Sequence, residues 1–274
     1  MTIDSNMLTE DAERILRSVL DSGTEDVLVV DPTADVIDTL VAVASETEDG
    51  LPEIRMIADE SVLKDVMDDF IVASNAADLV ESESLSMRTT DNGTENALLI
   101  TKDAVVSLVT AGDQVAGLVT TDDEFVAAAY DTYTTQWEDA PQYKLRTPPI
   151  ERVRATLEEE ISADARDDFD SVLSSLQTAR GDGDGLDEVT ISLLVAAKNE
   201  VLLYDISKWG EDVGIASKAT FSRTKTKLEE MGLIDTEKVP IDVGRPRLRL
   251  KLGDDRLVNA DPDQLAGVAQ SLLA

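Results

Sequence analysis

The sequence predicts an α/β chain in two parts, an N-terminal α/β sandwich and a C-terminal winged helix-turn-helix, with a helical linker region between them. Three observations predict it. Apolar runs of strand length alternate with helical stretches in the first part, caps and glycines punctuate two short helices between 205 and 232, and a strand of alternating leucines and cations follows. The expected division is an α/β sensor or assembly domain at 1–145, the helical linker at 146–185, the winged helix-turn-helix at 186–252 and an amphipathic helix at 253–274.

Taken in order, residues 9–21 predict a short helix burying Ile15, Leu16, Val19 and Leu20. DVLVVD at 26–31 reads as a strand, and Pro32 is placed to open the helix PTADVIDTLVAVASE. EIRMIA at 53–58 is a second strand and DESVLKDVMDDFIVASNAADLV a second helical stretch, so a parallel sheet with covered faces is expected. SLSMRTT, NALLITKD, AVVSLVTA and QVAGLVTT are short β-type runs separated by Asn92-Gly93, Lys102-Asp103 and Gly112-Asp113, which predicts a meander; 123–139 returns to helix. Pro141, Pro148 and Pro149 mark a boundary, beyond which Ile150, Val153, Leu157 and Ile161, then Phe169, Val172, Leu173 and Leu176 behind Ser162, keep helical spacing. Such stripes serve either as core contacts or as a dimer seam, the second of which suits a protein reading a two-fold DNA site. GDGDG at 181–185 places Asp182 and Asp184 two apart, but a calcium loop starting at Asp182 needs Glu where Leu193 stands, so this is a linker.

The C-terminal part carries the pattern closest to a function. Asp187 opens a first helix through Ile191, Leu194 and Val195, LLYDI supplies a short strand, and Asp205 is the expected cap of ISKWGEDV. Gly214 ends that helix and Ser217 caps the next, which runs to Met231 before Gly232, so the two helices are joined by a tight turn. Phe221, Leu228 and Met231 form the expected buried face of the second helix. Ser217, Lys218, Thr220, Arg223 and Lys227 form the face offered to DNA. Val239–Leu252 predicts two strands around a Gly244-Arg245-Pro246-Arg247 tip, with Leu248, Leu250 and Leu252 inward and Arg247, Arg249 and Lys251 outward; Arg245, Arg247 and Arg249 are the expected DNA contacts of this wing. Lys225 stands where an apolar residue is usual, so either its stem lies along the core edge or Thr224 takes the inward slot.

Composition bounds the alternatives. The chain has 57 Asp and Glu against 24 Lys and Arg, a formal charge of −33, yet 217–251 alone holds nine basic against five acidic residues. Screening of such self-repulsion needs salt, since the Debye length falls to about 3 Å at 1 M, and this points to a salt-loaded cytoplasm. Histidine and cysteine are both absent, which removes disulfides, zinc fingers and His-dependent nucleophile systems. No phosphate loop or dinucleotide fingerprint appears. Asp31, at a strand end, is the best acid for chemistry in the first half, although a helix cap is the commoner use of such a residue. No apolar run approaches a membrane span and the acidic N-terminus lacks a signal core, so a cytoplasmic protein with no membrane, metal or cofactor partner is expected.

The run LLYDISKWGEDVGIASKATFSRTKTKLEEMGLIDTEKVPIDVGRPRLRLKL resembles the haloarchaeal transcriptional regulator family TbsP, linked to the sugar-responsive regulator TrmB, and the rest of the chain follows that family in its order of elements. The resemblance implies promoter binding at glycolytic and gluconeogenic genes. It further implies an N-terminal half like the phospholipase-D-type α/β fold, catalytically dead here because that chemistry needs histidine. The expected partners are double-stranded promoter DNA, with a metabolite effector on the N-terminal domain and a homodimer as further partners this reading allows. A protein-interaction adaptor using its winged helix, or an enzyme of the α/β half with a docking winged helix, are the alternatives.

Overall fold

A computed structural model of the chain describes residues 7–9, 12–47, 50–91, 96–112, 114–180, 185–241 and 246–273. It divides into two compact units, residues 1–68 with 75–145, and residues 69–74 with 146–274. Among the described residues, no helix is long and apolar enough to cross a membrane.

The first unit is built on one seven-stranded mixed sheet. Its strands are β1 (Met7–Thr9), β2 (Asp26–Val30), β3 (Glu53–Ala58), β4 (Leu85–Thr89), β5 (Leu98–Ile100), β6 (Val105–Ala111) and β7 (Gln114–Thr120), in the order β1-β7-β6-β5-β2-β3-β4. β2, β3 and β4 run parallel, while β5, β6, β7 and β1 add antiparallel neighbours. β4 thus belongs to the parallel set and not to the expected meander. All five residues of β2 are buried, as befits a strand covered on both faces.

The unit's helices are α1 (Glu13–Leu20), α2 (Ala34–Ser45), α3 (Glu60–Val66), α4 (Phe70–Glu81, whose first turn is counted with the second unit) and α5 (Asp123–Asp139). α1 buries the four residues its periodicity singled out. It lies close on β7, where a Cβ at Gly117 would stand 3.3 Å from Ile15 Cγ2. α5 covers the opposite face, packing Val126, Tyr130, Tyr133 and Trp137 over Leu28, Val30, Ile57 and Ile100.

Two local expectations change. Pro32 precedes the cap instead of opening α2: Thr33 is the N-cap, its Oγ1 accepting from the Val36 N–H, and Asp31 adopts φ 49° with its N–H donating to Ile57 O at 2.8 Å. The long helical stretch from Asp59 is also two helices, because Asp69 Oδ1 accepts the Ile71 N–H at 2.9 Å and so starts α4 afresh after α3 has ended at Met67.

The second unit contains α6 (Ile150–Glu160), α7 (Ala163–Ser174), α8 (Glu188–Lys198), α9 (Leu203–Val213), α10 (Lys218–Glu230), the hairpin β8 (Ile234–Val239) and β9 (Arg247–Leu252), α11 (Asp255–Val258) and α12 (Pro262–Leu273). Val153, Leu157, Phe169 and Val172 from α6 and α7 share one core with Trp209, Phe221, Leu228, Leu250 and Leu265. Residues read as a linker therefore form the floor of the winged module, and their apolar stripes are used within the chain. Trp209 is fully buried and its Nε1–H donates to Thr156 Oγ1 at 3.0 Å, so the largest aromatic of this core keeps its polar handle satisfied across α6 and α9. GDGDG at 181–185 lies outside the described residues except for Gly185.

Candidate nucleic-acid interface

The module that could read DNA is assembled from α8, α9, α10 and the hairpin. Asp187 caps α8, accepting the Thr190 N–H at 2.7 Å. LLYDI does not form a strand of its own. Val201 and Leu202 give only a bridge to β9, with the Leu250 N–H donating to Val201 O at 2.9 Å and Leu202 opposite Arg249, and the chain turns at once into α9. Leu202 is the N-cap without a side-chain bond, so Asp205 sits inside the first turn and is not the cap. It is released for another use, described below.

α9 ends as expected at Gly214, whose φ of 98° is left-handed and cheap only for glycine. Ser217 then caps α10, its Oγ accepting from the Thr220 N–H at 3.2 Å. The two helices meet so closely at Gly210 that a Cβ there would collide with the ring of Phe221. Phe221 and Leu228 are buried, but Met231, at the C-cap, is 40% exposed; the third inward slot is filled by Lys225. The Lys225 stem runs along the core and its ammonium reaches Glu229 Oε2 at 2.7 Å, while Glu229 Oε1 accepts from Thr236 Oγ1 at 2.7 Å.

The outer face carries the expected DNA-reading residues. Lys218, Arg223 and Lys227 are exposed and Thr220 is half-buried. Thr220, Arg223 and Lys227, at spacings of three and four, share one stripe. The Arg223 guanidinium donates to Thr220 Oγ1 at 3.4 Å, and Thr220 shares a further 3.0 Å hydrogen bond with Ser217 Oγ. Ser217 is thereby committed to capping and to positioning Thr220.

In the hairpin, Glu237 stands opposite Arg249, Val239 opposite Arg247 and Asp235 opposite Lys251. The first strand begins at Ile234, five residues earlier than the sequence suggested. Leu250 is buried, with Leu248 and Leu252 half-buried beside it. Gly244 and Arg245 lie outside the described residues, so of the wing arginines the structure places Arg247 and Arg249.

Three of these cations, Lys218, Arg247 and Lys251, have a carboxylate partner that sequence reasoning missed. Lys218 Nζ lies 2.8 Å from Glu211 Oε2, and Glu211 Oε1 also accepts the Lys218 backbone N–H at 3.2 Å. The Lys218 ammonium, then its backbone N–H, hold the Glu211 carboxyl below its usual range. Arg247 Nη1 lies 3.4 Å from Asp205 Oδ1, and its guanidinium stacks 4.4 Å from the centroid of the Tyr204 ring. Lys251 Nζ is 2.9 Å from Glu237 Oε2. The one signal for Glu211 was its position just before the glycine turn that folds α9 back onto α10. Pairing of Asp205 and Tyr204 with Arg247 follows only from the Leu202–Arg249 bridge, which sets 204 opposite 247.

A capped helix-turn-helix with a cationic outer stripe and a two-stranded wing defines the class: a DNA-binding transcriptional regulator of the winged helix-turn-helix type. The particular family follows from the sequence comparisons, in which the N-terminal model of the TbsP-like transcriptional regulators matches residues 4–148 and the TbsP-like C-terminal HTH domain matches residues 149–270. The chain belongs to the TbsP-like transcriptional regulators. No curated protein matches it. Among solved structures it is similar to one described as "Structure of TrmBL2, an archaeal chromatin protein, shows a novel mode of DNA binding", with 13% identity and a TM-score of 0.38; the match covers 52% of this chain and spans about half, 55%, of that one.

Proposed function

We propose that this chain reads double-stranded promoter DNA with α10 and the wing, and regulates glycolytic and gluconeogenic genes in a halophilic archaeal cytoplasm. The observation that carries the reading is the stripe of Thr220, Arg223 and Lys227 on the exposed face of a capped α10, beside Arg247 and Arg249 of the wing. In this reading Thr220 and Arg223 meet base edges from the first turns of the helix, Ser217 positions Thr220, and Lys218, at the helix N-terminus, together with Lys227, Arg245, Arg247 and Arg249, meets the backbone or minor groove. The N-terminal unit is a sensor and not an enzyme, in keeping with a chain that has no histidine. A metabolite effector would enter the cleft of about 780 Å³ lined by Trp137, Tyr143, Glu53, Ser86, Gln142 and Lys144. A homodimer on a two-fold site would have to use surfaces other than the buried stripes of α6 and α7.

Genome-wide occupancy with and without sugar tests the regulatory part: enrichment at central-carbon promoters that shifts with sugar is expected, and occupancy elsewhere overturns it. For the site itself, Arg223→Ala is expected to relax sequence preference by about 1–3 kcal/mol of discrimination, measured as relative affinity for the recovered site and its single-base variants. Unchanged discrimination would remove Arg223 from the base-reading set.

A further inference from the structure

Glu211 sits at the N-terminus of α10. It puts one carboxylate oxygen on the backbone N–H at the start of the thirteen-residue α10 and the other on the Lys218 ammonium. A helix N-terminus with a neighbouring cation is where recognition helices commonly take a backbone phosphate. Asp205 Oδ1 lies 3.4 Å from Arg247 Nη1, and Glu237, bonded to Lys251, stands opposite Arg249 in the hairpin register. Among the described residues no ion pair joins Arg223 or Lys227, the two cations in the middle of the α10 stripe.

We propose that Glu211, Asp205 and Glu237 are specificity-determining residues that stand in for DNA phosphates in the free protein and compete with them for Lys218, Arg247 and the Arg249–Lys251 pair. The inference rests on the DNA-reading function proposed above. These pairs are exposed and therefore weak, so a duplex can displace them. Each displacement frees a carboxylate beside the DNA, which collects a cation from solution. The counterion released from the duplex, about 0.9 per phosphate contact, is then largely offset. Sequence-independent attraction is thereby reduced at three points while the unpaired stripe of Arg223 and Lys227 stays available. In a chain of charge −33, this concentrates recognition on base edges and lets binding persist as salt rises.

The test uses the full chain and a fluorescently labelled mixed-sequence duplex of about 30 bp, with affinity followed by anisotropy from about 0.05 to 0.5 M KCl. The variant E211Q/D205N/E237Q keeps the shape and hydrogen-bond acceptors but removes the competing charges. D123N/E124Q/D131N makes the same change in net charge on the exposed side of α5. The competitor variant is expected to bind more tightly at low salt by about tenfold or more, with a salt slope steeper by roughly 2–3; E211Q alone should steepen it by about 0.9. The α5 variant should match the wild type. An unchanged slope in the competitor variant overturns the proposal while leaving DNA binding intact, as does an equal change in the α5 variant, which would reduce the effect to net charge. If the folded wild type and both variants all fail to bind any duplex at the lowest salt, the DNA-reading function falls and the proposal with it.

Discussion

Arg55 and Arg247 are built into the same three-part arrangement, a guanidinium, a carboxylate and an aromatic ring, in the two units of the molecule. Arg55 lies on β3 beneath α5, paired with Asp26 and donating to Tyr130 Oη at 2.8 Å, with the rings of Tyr130 and Trp137 within 6 Å; its side chain is 12% exposed and that of Asp26 9%. Arg247 and Asp205 are each 40% exposed, and Tyr204 is open to solvent at 49%. Burial therefore separates two roles for one set of parts. The buried set joins strands β2 and β3 to α5, and removing either charge takes from the other its nearest buried partner. The exposed set holds a cation in place and can give it up to a ligand.

The largest effect should come from the buried side of that comparison. Arg55→Ala leaves the Asp26 carboxylate beneath α5 with only the Tyr130 hydroxyl at 2.6 Å and the more distant Lys102 ammonium at 3.9 Å, and should destabilise the N-terminal unit by up to about 3–5 kcal/mol, read from chemical denaturation followed by circular dichroism. A loss below about 1 kcal/mol would mean that water reaches Asp26 freely and that the two sets do not differ as described.

Next comes Gly210→Ala. The methyl group would run into the Phe221 ring, and overpacking of this kind costs about 1–3 kcal/mol, more than the roughly 1 kcal/mol that alanine gains over glycine in a helix. Because α10 must shift to make room, duplex affinity should fall together with stability. A variant that is more stable and binds normally would show that α9 and α10 can separate without consequence.

How much of this could be read in the sequence depends on whether a feature is local. The Ser217 cap, the start of α8 at Asp187 and the left-handed Gly214 are set by neighbouring residues, and the sequence predicts them correctly. The errors lie where tertiary contacts decide. LLYDI has strand composition but enters α9 because β9 offers it a single bridge; Met231 keeps the spacing of a buried residue yet falls at the helix end, past the core; β4 looks like its antiparallel successors but pairs parallel with β3. The carboxylates facing Lys218, Arg247 and Arg249 were hidden for the same reason. Their partners are 7, 42 and 12 residues away, and only the turn, the bridge and the hairpin register bring them together.

Between the two extremes stands the Lys225–Glu229 pair, half inside the core of α10. The Lys225 ammonium, then the Thr236 hydroxyl, hold the Glu229 carboxyl below the usual range of a glutamate. A depressed carboxyl contributes stability that is present above the unfolded value and lost as pH falls through the folded one. The wild type should therefore lose a small increment of stability in that acid window. Glu229→Gln should be slightly less stable at neutral pH and should lack that part of the acid loss. Parallel pH profiles for the two proteins would place this pair with the exposed set.

The smallest effect on stability is expected at Arg247. Replacing it with alanine removes an exposed ion pair worth about 0–1 kcal/mol and an exposed cation–π contact of about 0.5–1 kcal/mol, but it frees Asp205 to be hydrated. The melting temperature should fall by no more than about 2–4 °C for a loss near 1 kcal/mol in a chain of this size. DNA binding should nevertheless weaken across all sequences, since a wing arginine grips backbone or groove potential and does not read one base. The salt dependence decides between two descriptions of that contact. An ordinary phosphate contact, once deleted, lowers the salt slope by about 1. If Asp205 already stands in for the phosphate, the counterion released by DNA is offset by the one Asp205 collects, and Arg247→Ala should reduce affinity with little change in slope. A loss of about one unit of slope would place Arg247 among ordinary phosphate contacts, and would leave Tyr204 and Asp205 as a rest position without influence on how the wing meets DNA.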